Sequence, residues 1–250
     1  MMKHWHRFGR WVGGVSLGVA IAAGCVLAET VPLSEQLIDL ESAAGEELLF
    51  SSQARRDYLP LSQEFLTQSN LAYCGVASMV MVLNALEVPA PKAAGYRRYR
   101  FFTQENIFDN PAARQVMTAD YVARQGMTLE EMSRFLQGYP LQVSRHHGSD
   151  ISLEEFRRII RENLSQPNNF ILVNYLRRAL DQPGGGHISP LAAYHAARDR
   201  VLILDVARYR YPPVWVSVED LWQATNTIDP VSGKTRGIVT VRRRALVSAQ

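Results

Sequence analysis

Cysteine is nearly absent from this chain. Two occur in 250 residues, Cys25 and Cys74. No Cys-x-x-Cys and no His-x-x-Glu-His spacing is present, and no two of the histidines, carboxylates and Cys74 share a tight ligand spacing, so the reading assigns no protein metal site. The glycine-rich stretch "PGGGH", Pro183 to His187, lacks the lysine and the following helix that a phosphate loop needs. Internal repeats and low-complexity linkers are missing too, which leaves one domain. A surplus of charge is also lacking. The formal net charge is +3, and Lys3, Arg7 and Arg10 account for all of it. The remainder is near neutral, which argues against a nucleic-acid partner.

Those three bases open a segment with its own logic. They precede "WVGGVSLGVAIAAGCVLA", Trp11 to Ala28, which is apolar and ends in small residues. A basic start, an apolar middle and a small-residue end describe an export signal, cut after Ala28. The expected location is exported, periplasmic. Two alternatives share the same residues: lipidation at Cys25 within "AAGC", or an uncleaved membrane anchor over residues 11–28, which is at the short end for a spanning helix. In each case residues 29–250 are the working domain. Cys74 then stands alone in an oxidising compartment with no partner for an intramolecular disulfide. An unpaired thiol there must be buried or used.

Hydrophobic residues make up 47% and charged residues 20%, enough apolar content for a real core at this length. An amphipathic segment spans Ser34 to Leu49. The most apolar run, Cys74 to Leu86, reads as a helix that Pro89 and Pro91 cannot continue. Pro111 after Asn110 opens a helix that Gly126 closes. Thr128 with Glu131, and Ser152 with Glu155, have the capping-box spacing. The second half is rich in β-branched and aliphatic residues. Residues 169–176, 187–195, 201–209 and 237–243 read as strands, with a short helix at 217–225. Helices first and strands second predict an α+β fold with an antiparallel sheet.

The chemistry gathers around Cys74. A cysteine nucleophile needs a lowered pKa, a base, and a group that holds the base. The start of a helix supplies a positive dipole end. Gly75 leaves room beside the sulfur for a substrate backbone, and the Gln68 amide, six residues upstream, can donate to an oxyanion. Four histidines follow the signal. His146 and His147 fall in a polar loop, and His195 ends a strand. His187 begins a strand after three glycines, Gly184 to Gly186, which clear bulk from one side of its ring. The turn Ala197 to Arg200 folds this strand onto the next, where Asp205 interrupts "VLILDVA". A carboxylate in an apolar strand needs a partner, and an imidazolium across the hairpin supplies one. Each signal alone has a plain structural reading: a buried thiol, a structural histidine, an aspartate paired with a local arginine, glycines that merely turn. The ordered set is what points to a Cys–His–Asp acyl-transfer centre.

With these residues placed, the chain resembles the phytochelatin synthases, within the papain-like cysteine protease superfamily. "YCGVASMVMVLNAL" is similar to the family's nucleophile helix, and the stretch from Gly185 to Asp229 is similar to its histidine and aspartate region. The likeness covers roughly Leu59 to Arg243. It implies a papain-like fold, with the helical part carrying the nucleophile helix packed on the antiparallel sheet that carries His187 and Asp205. It implies acyl transfer on glutathione: Cys74 as nucleophile, His187 as base and acid, Asp205 as orienting acid, Gln68 in the oxyanion hole. Asp229 and Arg236 match positions that hold the γ-glutamyl group, whose free amine and carboxylate call for one acid and one guanidinium; the alternative is a loop ion pair. Plant members carry further cysteines and a cysteine-rich extension, which this chain lacks. The short prokaryotic members resemble it better. They imply release of γ-glutamylcysteine to water over transfer, and a homodimer. A heavy metal, cadmium or zinc, would then enter as a complex with the substrate's own thiolate. Rival readings are a general exported papain-like peptidase and a non-enzymatic thiol or metal-binding module.

Overall fold

A computed structural model describes residues 31–244. The segment read as an export signal, with Cys25, lies outside the described residues. In chain order the elements are β1 (Ile38–Asp39), α1 (Ala43–Ser51), α2 (Tyr58–Gln63), α3 (Cys74–Ala85), α4 (Pro111–Arg114), α5 (Ala119–Gln125), α6 (Leu129–Gln137), β2 (Leu141–His147), α7 (Leu153–Leu164), β3 (Asn169–Leu176), β4 (Gly186–His195), β5 (Arg200–Ile203), β6 (Val214–Ser217), α8 (Val218–Thr225) and β7 (Gly237–Arg243). The strands form one antiparallel sheet in the order β1-β6-β5-β4-β3-β7-β2. The α+β expectation holds.

Period-two alternation decides which side chains go where. On β3, Phe170 and Leu172 join the core under α3 and α6, while Ile171, Val173 and Tyr175 join the opposite core under α7 and α8. Helix α3 is buried on every side: Gly75 through Leu83 are all inside. An apolar run without a polar face has this one stable place, the centre of the molecule. Ser78 is the polar exception, with Oγ 2.7 Å from the Cys74 carbonyl and 3.2 Å from that of Ile188 on β4. Helix α3 and strand β4 are thereby tied together near Cys74 and His187.

Several segments differ from the sequence reading. The run from Pro111 to Gly126 is two helices, because Thr118 caps a fresh start by accepting from the Tyr121 N–H. The strand expected over 201–209 stops at Ile203, because Asp205 Oδ1 accepts from the Ala207 N–H at 2.8 Å and curls the chain out of the sheet. His146 and His147 lie on β2, paired with Ile238 and Gly237, and not in a loop. Of the two capping boxes, that at Thr128 is complete, while Glu155 turns instead to Arg158. Only the last part of the Ser34–Leu49 segment is helical, from Ala43 onward.

Candidate active site

Cys74 is the first residue of α3 and half-buried. No side chain caps this helix, so its first N–H groups are left to whatever charge sits at its head. Burial pushes the thiol's pKa up. The hydrogen bond and charge of His187, with backbone hydrogen bonds from Ile188 and Gly75, outweigh that and lower it overall.

His187 is buried near the start of β4. Its Nε2 lies 2.9 Å from Asp205 Oδ1 and 2.9 Å from Ser189 Oγ. Nδ1 is therefore the nitrogen left to face the thiol. Burial works against a charged ring, but the Asp205 carboxylate wins and His187 is raised above the ordinary histidine value. Asp205 is fully buried just past the end of β5. Burial alone would raise its pKa; His187 and Arg177 together hold it well below the usual carboxylate range. A thiol lowered by its histidine and a histidine raised by its aspartate favour a thiolate–imidazolium pair.

Arg177 went unread in the sequence. It follows β3, is buried, and grips Asp205 with both ends of its fork: Nη1 to Oδ2 at 2.8 Å and Nη2 to Oδ1 at 2.9 Å. Gln182 accepts from Nη1 at 3.0 Å, and the Tyr211 ring lies 4.4 Å from the guanidinium. Two of the three glycines before His187, Gly184 and Gly186, lie against arginine side chains. A Cβ on Gly184, at φ +144°, would sit 2.8 Å from Arg177 Cδ. A Cβ on Gly186 would sit 3.0 Å from Arg236 Nη2. Two glycines make room for two arginines.

A cleft of about 680 Å³ opens over the thiol. Cys74, Gly186, His187, Asp229 and Arg236 all line it. Asp229 and Arg236 are both buried, and no Asp229 oxygen lies within 4.0 Å of Arg236 nitrogens, so the loop ion pair is not what these residues form. Arg236 spends Nη1 on the Ile228 carbonyl at 2.7 Å and on Thr227. Its Nε is buried without a partner. A buried guanidinium with an uncommitted edge beside a cleft is set to receive a carboxylate. Asn174, on β3 between Ile188 and Gly237, lines the same cleft at 3% exposure and makes no side-chain hydrogen bond among the described residues. Its place in an otherwise apolar strand, "FILVNYL", was the signal that sequence reasoning passed over.

Two expected site residues sit differently. Gly75 does not open space for a substrate. It is buried, and a Cβ there would meet Met127 Sδ at 2.4 Å, so the missing side chain makes room for methionine. Gln68 is buried behind the cleft, with Nε2 donating to the Asn70 carbonyl at 2.7 Å and its backbone N–H bonded to Val206 at 2.9 Å. The loop that carries Gln68 is thereby stitched to the residue after Asp205. The remaining histidines stand apart: His147 Nδ1 donates to the Thr235 carbonyl, and His195 accepts from the Arg198 N–H.

Comparison with known proteins places the chain in a family. The family model for phytochelatin synthase matches residues 28–238. The chain belongs to the phytochelatin synthase family. Among curated relatives, glutathione gamma-glutamylcysteinyltransferase 1 of Lotus japonicus is 33% identical over 214 residues, covering 84% of this chain and 41% of the relative. The enzyme of the same name from Arabidopsis thaliana is 34% identical over 215 residues, covering 84% and 42%. Glutathione gamma-glutamylcysteinyltransferase of Schizosaccharomyces pombe is 29% identical over 210 residues, covering 83% and 49%. The chain spans less than half the length of these relatives. Every residue of the Cys74–His187–Asp205 set, and Arg177, Asn174, Asp229 and Arg236 with them, falls inside the matched span of this phytochelatin synthase family member.

Proposed function

We propose that the protein is a glutathione γ-glutamylcysteinyltransferase on a papain-like frame, working through a thioester on Cys74. The observation that carries this reading is one cleft holding a paired thiol and imidazole beside a buried arginine with an unspent edge. The names of the relatives point the same way.

The γ-glutamyl carboxylate of glutathione meets Arg236, its ammonium meets Asp229, and the Asn174 amide bonds a polar atom between them. The Cys74 thiolate attacks the carbonyl carbon of the Cys–Gly amide. Negative charge on that oxygen is met at the head of α3. The C–N bond breaks as His187 gives its proton to the departing glycine amine. Asp205, held by Arg177, keeps Nε2–H in place, so Nδ1 is the nitrogen that carries the proton to and from the reacting atoms. The thioester then passes to the amine of a second glutathione, or to water. That nucleophile's proton returns to His187 and Cys74 leaves as thiolate. Cadmium or zinc enters on the substrate's thiolate.

Intact mass of the protein after brief exposure to glutathione should rise by one γ-glutamylcysteinyl group, with glycine released in equal amount. Cys74→Ala should carry no adduct and lose glycine release by several orders of magnitude. Undiminished glycine release from that variant would remove Cys74 from the reaction.

A further inference from the structure

The two walls of the cleft differ. One is buried and polar: Asn174, Asp229 and Arg236. The other is exposed and comes from the end of α5 and the loop before α3. Arg124 stands there in the last turn of α5, next to Gln125, and Leu71 lines the same cleft from the loop at 84% exposure. Among the described residues Arg124 has no carboxylate within 4.0 Å and makes no side-chain hydrogen bond. This stretch is fixed against the nucleophile turn. Met127 packs over Gly75, and Gly126 faces the Ala72 carbonyl, 3.9 Å from where its Cβ would be. Arg124, two residues from those contacts, lines the same cleft as Cys74.

We propose that Arg124, with Gln125 and the apolar edge of Leu71, seats the acceptor: a second anionic thiol peptide, bound through a carboxylate, whose free amine faces the Cys74 thioester. This rests on the acyl-transfer reading above and adds the element that decides between its two outcomes. The buried wall has one guanidinium, and the γ-glutamyl carboxylate of the acyl group occupies it. An incoming peptide brings carboxylates of its own and needs a second cation. Arg124 is the uncommitted cation on the open wall. Water needs no such seat. In the step itself the acceptor nitrogen bonds to the thioester carbonyl carbon and the C–S bond breaks. Cys74 departs as thiolate, and the proton on the new amide nitrogen passes to His187. Occupancy of the Arg124 seat therefore sets how often an amine, and not water, takes the acyl group.

The test counts two products from the full chain incubated with glutathione and cadmium: longer γ-glutamylcysteinyl oligomers and free γ-glutamylcysteine. Their ratio is normalised to glycine released. Arg124→Gln should lower the ratio about ten-fold, the scale of one charge-assisted hydrogen bond, and raise the glutathione concentration at which transfer half-saturates. Arg124→Lys keeps the charge and should stay within about three-fold of the parent protein. Raising ionic strength should lower the parent's ratio and leave that of Arg124→Gln flat. A ratio in Arg124→Gln within about two-fold of the parent overturns the assignment, as does a parent protein that hydrolyses but never transfers at high glutathione. Absence of glycine release from the parent would instead overturn the acyl-transfer reading itself.

Discussion

Replacing Arg236 with methionine separates a site built for a ligand from one built for stability. In the free protein the guanidinium is 5% exposed, and it has hydrogen bonds on Nη1 but none on Nε. Removing it loses the Nη1 bonds to Thr227 and to the Ile228 carbonyl, the last and shortest worth about 1.5–3 kcal/mol. It also removes a buried cation with no bonded carboxylate, which relieves a desolvation penalty of several kcal/mol. Methionine is unbranched and fits the space that Gly186 leaves beside the arginine stem. The two effects oppose, so unfolding free energy should change by no more than about 1–2 kcal/mol, and upward as readily as downward. Turnover should not be spared. Two charge-assisted bonds to a substrate carboxylate carry about 3–6 kcal/mol, which is roughly a 10²- to 10⁴-fold fall in kcat/KM for glutathione. The assay is glycine release against glutathione concentration, with calorimetric unfolding on the same samples. Iodoacetamide alkylation of Cys74 is the control, and its rate should hold because the thiol's histidine is untouched. A variant that loses more than about 3 kcal/mol of stability yet keeps kcat/KM within about three-fold would refute the reasoning and make Arg236 a structural residue.

Two further outcomes follow from the buried charges. The thiolate–imidazolium pair exists only above the lowered pKa of Cys74 and below the raised pKa of His187. Alkylation of Cys74 and kcat/KM for glutathione should both rise through an acid limb set by the thiol and fall through an alkaline limb set by the imidazole, with the two apparent values belonging to the pair. Asp57 opens α2 with no exposure and, among the described residues, no hydrogen-bond partner for either oxygen, and burial raises its pKa to about 9. The folded protein thus holds this proton where the unfolded chain releases it. Stability from this group is fully present below pH 3.8 and is lost as pH rises toward 9, by up to about 4 kcal/mol at pH 7. Asp57→Asn should flatten the denaturation midpoint between pH 5 and pH 8, and an unchanged slope in urea melts would refute this account.

Local pattern carried far into this molecule. The strands at 169–176 and 237–243 have the bounds read from their residues, and β4 differs by one residue at its start. Thr128 opens a helix as its spacing with Glu131 requires. These features depend on a few neighbouring residues, so a short window contains their cause. The errors have the opposite character. A single helix from Pro111 to Gly126 was a fair expectation of its termini, but Thr118 could stop it only by turning its hydroxyl to a backbone N–H. The end of β5 was missed because Asp205 leaves the sheet to meet partners that lie 18 and 28 residues away in sequence.

The sequence by itself determined that Cys74 would head a buried helix and that His187 and Asp205 would meet across a hairpin. Hydrophobic periodicity, a turn at Ala197 to Arg200 and the cost of burying a charge are enough for each. Only the tertiary structure decided what surrounds them. It placed Arg177 on both oxygens of Asp205, and it turned two glycines to the service of arginines. It closed Gly75 under Met127 and left one edge of Arg236 unspent beside Asn174. The physical reason is that a charge finds its partner through space. Which of the chain's many arginines is desolvated against which carboxylate depends on register and packing summed over the whole sheet, and no short window of residues contains that sum.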